Sequence, residues 1–150
     1  MDGSDRPARI LIVEDEDNIA LALATVMGRE GWSLSRVSDG GEALAAIRAE
    51  PPDLVLLDVM LPHVSGYEIC QQIRLDPALA GTRVLMMTAR GTAMERRKGL
   101  ALGADGFISK PFDLRDLMAQ VKRLLAAGAG PEAPEEGGPE APEEGGAANV

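Results

Sequence analysis

Aromatic residues make up 3% of the chain, so its core has to be packed from aliphatic side chains. One cysteine, Cys70, rules out an internal disulfide and any multi-cysteine metal centre. Set beside Ile69 and Ile73 at helical spacing, it reads as a small buried hydrophobe. One histidine, His63, stands in a polar loop next to Pro62 and is expected to be solvated rather than bound to a metal. No apolar run reaches the length of a membrane span, and Met1-Asp2-Gly3-Ser4-Asp5 lacks the basic and apolar regions of a signal peptide. The expected location is cytoplasmic, with no membrane contact. Basic residues stop at Arg123 and six glutamates follow, so residues 1–123 carry −3 of the total charge of −9 and the remainder carries −6. That balance argues against general electrostatic binding to nucleic acid.

What is present is aliphatic and alternating. With 45% hydrophobic and 26% charged residues, the 150-residue chain has the make-up of one globular domain with a sizeable core. Ile10-Leu11-Ile12-Val13 is a short apolar strand signal, ended by Glu14-Asp15-Glu16-Asp17. Ile19, Leu23, Val26 and Met27 then recur at helical intervals, with Asp17 or Asn18 as the expected N-cap and Gly31 as a stop. Ser33 to Val37 is a weaker strand, and Ala43, Leu44 and Ile47 mark a helix over 42–50 that ends at Pro51-Pro52. Leu54-Val55-Leu56-Leu57-Asp58-Val59-Met60-Leu61 lies between prolines and reads as a strand buried on both faces.

Ser65-Gly66 opens the next helix, which ends before Asp76-Pro77. Val84 to Met87 is a fourth strand, residues 93–102 a helix with a basic side, and Gly106 to Ser109 a fifth strand. Asp113 caps a last helix striped with Leu114, Leu117, Met118, Val121, Leu124 and Leu125. Strand and helix thus alternate five times, which predicts an α/β fold with a parallel sheet covered on both faces, because right-handed crossovers must return each strand to the same direction. From Gly128 the composition changes: Pro-Glu-Ala-Pro-Glu-Glu-Gly-Gly occurs twice, at 131–138 and 139–146. Such a segment cannot offset its ordering entropy, so 8–126 is expected to fold and 127–150 to form a disordered acidic tail.

Four features fall at the C-terminal edge of the predicted sheet, where open parallel sheets bind ligands. They are Glu14-Asp15, Asp58, Thr88 and Lys110. Three carboxylates brought together repel each other and are commonly reconciled by a hard divalent cation, for which magnesium is the natural candidate. A lysine and a hydroxyl beside such an ion suit a transferring phosphoryl group, whose equatorial oxygens need charge neutralisation.

Ile12-Val13-Glu14-Asp15-Glu16, Leu56-Leu57-Asp58-Val59-Met60-Leu61-Pro62, Met87-Thr88-Ala89 and Gly103-Ala104-Asp105-Gly106-Phe107-Ile108-Ser109-Lys110-Pro111-Phe112 occur in this order. In them the chain resembles the CheY-like receiver domain of two-component response regulators, over about residues 8 to 126. The resemblance implies a doubly wound, five-stranded parallel sheet of order 2-1-3-4-5. It implies that Asp58 accepts a phosphoryl group from a sensor histidine kinase or a phosphotransfer protein. Magnesium would be held by Glu14, Asp15, Asp58 and the Met60 backbone carbonyl, while Thr88 and Lys110 contact the phosphoryl oxygens. It further implies a cis Lys110-Pro111 peptide and a switch in which Thr88 leaves a solvent contact and Phe107 rotates inward from solvent, reshaping a protein-binding face over 93–120.

An aspartate-nucleophile phosphatase of the haloacid dehalogenase kind would carry a general acid two residues after the nucleophile, and Met60 stands there instead. A phosphorylation-independent, receiver-like interaction module would be marked by loss of an acid, the acceptor or the lysine, and all are present. No helix-turn-helix or further domain follows residue 126. A stand-alone receiver acting on a downstream protein target is the expectation, with a phosphorelay shuttle and the receiver part of a longer protein left open as alternatives.

Overall fold

Alternation of branched aliphatic runs with amphipathic stretches produces five strands and five helices in the computed structural model, which describes residues 6–129. In chain order these are β1 (Arg9–Val13), α1 (Asp17–Gly28), β2 (Ser33–Val37), α2 (Gly40–Ala49), β3 (Leu54–Asp58), α3 (Gly66–Leu75), β4 (Arg83–Thr88), α4 (Ala93–Ala101), β5 (Gly106–Ser109) and α5 (Leu114–Ala129), with a single 3-10 turn at Pro77–Leu79 before β4. The tail expected over 127–150 is corrected at its start, since α5 runs on to Ala129; residues 130–150 lie outside the described residues. No helix among the described residues is long and apolar enough to cross a membrane.

All four strand pairings are parallel, and the order is β2-β1-β3-β4-β5. The doubly wound sheet implied by the resemblance is therefore the one observed. Because side chains alternate across a strand, the sheet divides the core in two. Leu11, Val13, Val55, Leu57, Val84 and Met86 face Ile47 of α2 and Ile69, Cys70 and Ile73 of α3. Ile10, Ile12, Leu54, Leu56, Leu85 and Met87 face Leu23 and Met27 of α1 and Leu117, Val121 and Leu124 of α5. β3 is central and wholly buried, as its unbroken apolar run requires. β2 is an edge strand with mixed exposure, hence its weaker sequence signal.

Parallel register places Val13, Val37, Asp58, Thr88 and Ser109 at one edge. The opposite edge is tied by Asp105, just before β5. Its Oδ2 accepts from Arg74 Nη2 of α3 at 2.6 Å and from the Val84 N–H at 2.9 Å, while its own N–H donates to the Val84 carbonyl at 2.8 Å. Arg74 Nε donates to the Gly103 carbonyl at 2.8 Å.

Two local expectations are corrected. The N-cap of α1 is Glu16, not Asp17 or Asn18, and its side chain makes no capping hydrogen bond. α2 begins at Gly40, two residues before Glu42, because Asp39 caps it by accepting from the Gly41 N–H at 2.8 Å. Asp113 Oδ1 does accept from the Arg115 N–H at the start of α5, at 2.8 Å, and the Lys110–Pro111 peptide is cis, as expected.

Candidate functional site

Where β1 ends, the next residue, Glu14, turns its carboxylate inward beside the end of β3, and the parallel register brings Asp58 to the same place. Glu14 is 0% and Asp58 4% exposed, whereas Asp15 points to solvent. Among the described residues these three form a cluster in which one carboxylate oxygen from each lies within 4.8 Å of the other two. Lys110, from the loop after β5, reaches into it. Its ammonium sits 2.8 Å from Glu14 Oε1 and 3.1 Å from Asp58 Oδ2. The remaining oxygens are also occupied: Glu14 Oε2 accepts from the Glu16 N–H at 3.0 Å and Asp58 Oδ1 from the Met60 N–H at 3.1 Å.

Charge explains the arrangement. Burial raises the Glu14 pKa above its ordinary 4.5, with the neighbouring Asp58 adding to that effect and Lys110 and the Glu16 amide opposing it. For Lys110, burial works against the charged form, but its hydrogen bonds to Glu14 and Asp58 outweigh burial and the pKa is raised. Three carboxylates against one ammonium leave an excess of negative charge around hard oxygen donors. That donor set fits a divalent cation of the magnesium kind. The cluster opens into a cavity of about 310 Å3 bounded by Asp15, Met60, Ala89 and Lys110. Gly66, the first residue of α3, lies so close to the Asp58 carbonyl that a Cβ there would collide with it, and its N–H donates to the Val59 carbonyl at 3.0 Å. The helix start thereby backs the end of β3.

Thr88 ends β4 at the expected edge, Phe107 lies within β5 opposite Met86, and both are in different surroundings from those expected. Thr88 is 1% exposed. Its hydroxyl does not meet solvent: it donates to Glu95 Oε1 at 2.9 Å and accepts from the Arg90 N–H at 3.3 Å. The same Glu95 oxygen accepts from the N–H groups of Gly91 at 3.0 Å and Thr92 at 3.4 Å, while the Glu95 N–H donates to Thr92 Oγ1 at 3.1 Å. This is a capping box at the start of α4. Phe107 is already inward, 3% exposed and packed in the α2–α3 side of the core. Apolar burial of the ring needs no further partner, so the expected starting point in solvent is corrected.

Three partners escaped the sequence reading. Glu95 was legible as the last position of Thr92-Ala93-Met94-Glu95, a capping-box spacing. Arg36 of β2, whose guanidinium bonds the Glu14 carbonyl, carries no local signal. His63 is exposed, as expected, but its ring Nδ1 lies 3.0 Å from Asp39 Oδ1 and its φ is +72°. That contact lowers the Asp39 pKa.

The profile of the response regulator receiver domain matches residues 10–122. The chain is 42% identical over 120 residues to the sensory transduction protein RegX3 of Mycolicibacterium smegmatis, covering 80% of this chain and 51% of that protein. It is 42% identical over 126 residues to the transcriptional regulatory protein TcrA of Mycobacterium tuberculosis, covering 84% and 49%. The chain thus spans about half the length of the curated relatives it matches. Among solved structures, a putative response regulator from Chloroflexus aurantiacus superposes with a TM-score of 0.77 at 36% identity, covering 81% of this chain and 99% of that one. A CheY-like receiver domain protein from Methanospirillum hungatei gives 0.75 at 31%, covering 82% and 97%.

Proposed function

The chain belongs to the response regulator receiver domain family, and from that membership we propose that Asp58 is its phosphoacceptor, with Glu14, Asp15, Asp58 and the Met60 carbonyl holding Mg2+ and Lys110 and Thr88 receiving the phosphoryl oxygens. The observation that carries this reading is the single ammonium bridging Glu14 and Asp58 inside a cluster of three carboxylates. Such a lysine is placed to remain on Glu14 while exchanging Asp58 for a new anionic oxygen.

The donor is a phosphohistidine on a sensor kinase or a phosphotransfer protein. One Asp58 oxygen forms the new bond to phosphorus as the nitrogen–phosphorus bond breaks, and the electron pair stays on the imidazole nitrogen. Asp58 Oδ2 is the oxygen Lys110 holds, so transfer there requires the ammonium to move onto the phosphoryl group, which a flexible side chain with three donors allows. When bound, Mg2+ supplies neutralisation of the acidic cluster and of the phosphoryl charge.

The Thr88 hydroxyl then has two competing acceptors, Glu95 and a phosphoryl oxygen; the latter carries more charge and attracts it more strongly. Its departure loosens the Glu95 box at the start of α4. The signal leaves through α4, β5 and α5 to a downstream protein target. Treatment with acetyl phosphate and Mg2+, followed by intact mass spectrometry, should add one phosphoryl group to the wild type and none to Asp58→Asn. Equal labelling of that variant would remove Asp58 from the role.

A further inference from the structure

We propose that Arg36 is a positioning residue for the metal-binding loop, a staple thrown from the edge strand across both ends of the segment that carries Glu14 and Asp15. The inference rests on the Mg2+ reading above and adds a residue to it.

β1 pairs with β2 only as far as Val13 and Val37. The Glu14 N–H still finds a strand partner, the Val37 carbonyl at 3.1 Å. Its carbonyl has no ladder partner beyond that point, and Arg36 supplies one: Nε at 3.0 Å and Nη2 at 2.9 Å converge on that oxygen. The third guanidinium nitrogen, Nη1, reaches Asp17 Oδ1 at 2.8 Å, in the first turn of α1. One planar fork therefore spans Glu14 to Asp17. α1 has no side-chain cap at Glu16, and the Arg36–Asp17 contact does not replace one, since a guanidinium accepts no N–H; it ties the first residue of the helix to β2. Between the two anchored points lies Asp15, the exposed member of the carboxylate cluster.

Two effects of Arg36 on a dication have opposite signs. As a positive charge near the cluster it repels the ion. As a staple it removes the loop freedom that cation binding would otherwise have to quench. Asp17 sits at bonding distance from the guanidinium and screens its field, whereas among the described residues no other side chain bonds the Glu14 carbonyl. Positioning should outweigh repulsion.

The test is Mg2+ affinity by calorimetry, with melting in chelator as the check on folding. Arg36→Ala should weaken Mg2+ by on the order of 10-fold, as loss of an outer partner of metal ligands does. Arg36→Lys keeps the charge but offers no fork, so it should weaken binding as well. Acetyl phosphate labelling should need more Mg2+ in both variants and reach the wild-type rate at saturation. Tighter or unchanged binding in Arg36→Ala overturns the staple, and so does wild-type affinity in Arg36→Lys. Should Arg36→Ala fail to fold, the lysine variant alone decides. A wild type with no saturable Mg2+ binding would instead remove the metal reading itself, and this inference with it.

Discussion

Glu14 is the residue whose ionisation the fold resists, since burial and Asp58 together hold its carboxyl above the ordinary 4.5 despite Lys110. In the folded state it keeps a proton that the unfolded chain has released, so its contribution to stability is full below pH 4.5 and is lost as pH rises through the folded-state value. Glu14→Gln leaves an oxygen for Lys110 but cannot ionise. In chelator, its melting temperature relative to wild type should climb as pH is raised from 4.5 toward neutrality; a constant difference would show that the carboxyl ionises as freely as in water. Glu95 is an acceptor with three donors on one oxygen. Glu95→Ala should cost about 1 kcal/mol in urea unfolding, the worth of a helix cap. It should also free the Thr88 hydroxyl, so a phosphoryl mimic such as beryllofluoride should bind at least as tightly as in wild type. Weaker binding would mean that Glu95 assists Thr88 instead of competing for it.

Among the elements, α4 is held least by packing: the residue it buries is Gly99, against the Phe107 ring and the Met86 sulfur. In an exposed helix interior, alanine would gain up to about 1 kcal/mol over glycine. Here a Cβ at Gly99 would collide with the ring, and overpacking typically costs about 1–3 kcal/mol. Gly99→Ala should therefore lower the melting temperature and shift the Phe107 ring resonances. A more stable variant with unmoved resonances would show that the ring gives way freely. Arg96 lies over the same ring, 5.9 Å from its centroid. The helix thus rests on Phe107 by a glycine and a cation. Legibility followed the same division. Apolar runs such as Leu54 to Leu57, the acids after β1 and the residues that end β3, β4 and β5 could be read because period and position are local properties. Arg36 was missed because an arginine on an edge strand acquires meaning only from tertiary partners, whereas Glu95 carried a local capping-box spacing after Thr92 and its bond to the Thr88 hydroxyl was what the spacing does not give. Phe107 was placed in solvent because no local pattern says whether a ring in so short a strand turns in or out.

For the whole molecule, the excess of negative charge at one edge of the sheet makes stability dependent on the ion that offsets it. Mg2+ at about 100 times its dissociation constant should add about 2.7 kcal/mol, if it binds the folded state alone. That corresponds to a rise in melting temperature on the order of 8 °C for a domain of this size. No rise between chelator and saturating Mg2+ would show that the cluster is not a cation site. The opposite edge carries a different kind of order. Asp105 fastens the start of β5 to β4 and, through Arg74, to the end of α3. From that root β5 is laced to β4 rung by rung as far as Thr88 and Ser109, and the Lys110 N–H closes the lacing on the Thr88 carbonyl at 2.7 Å. Like a zip fastened at both ends, the pair has no loose flap: a pull on Lys110 is carried into β4 as well as β5, and the two strands move together.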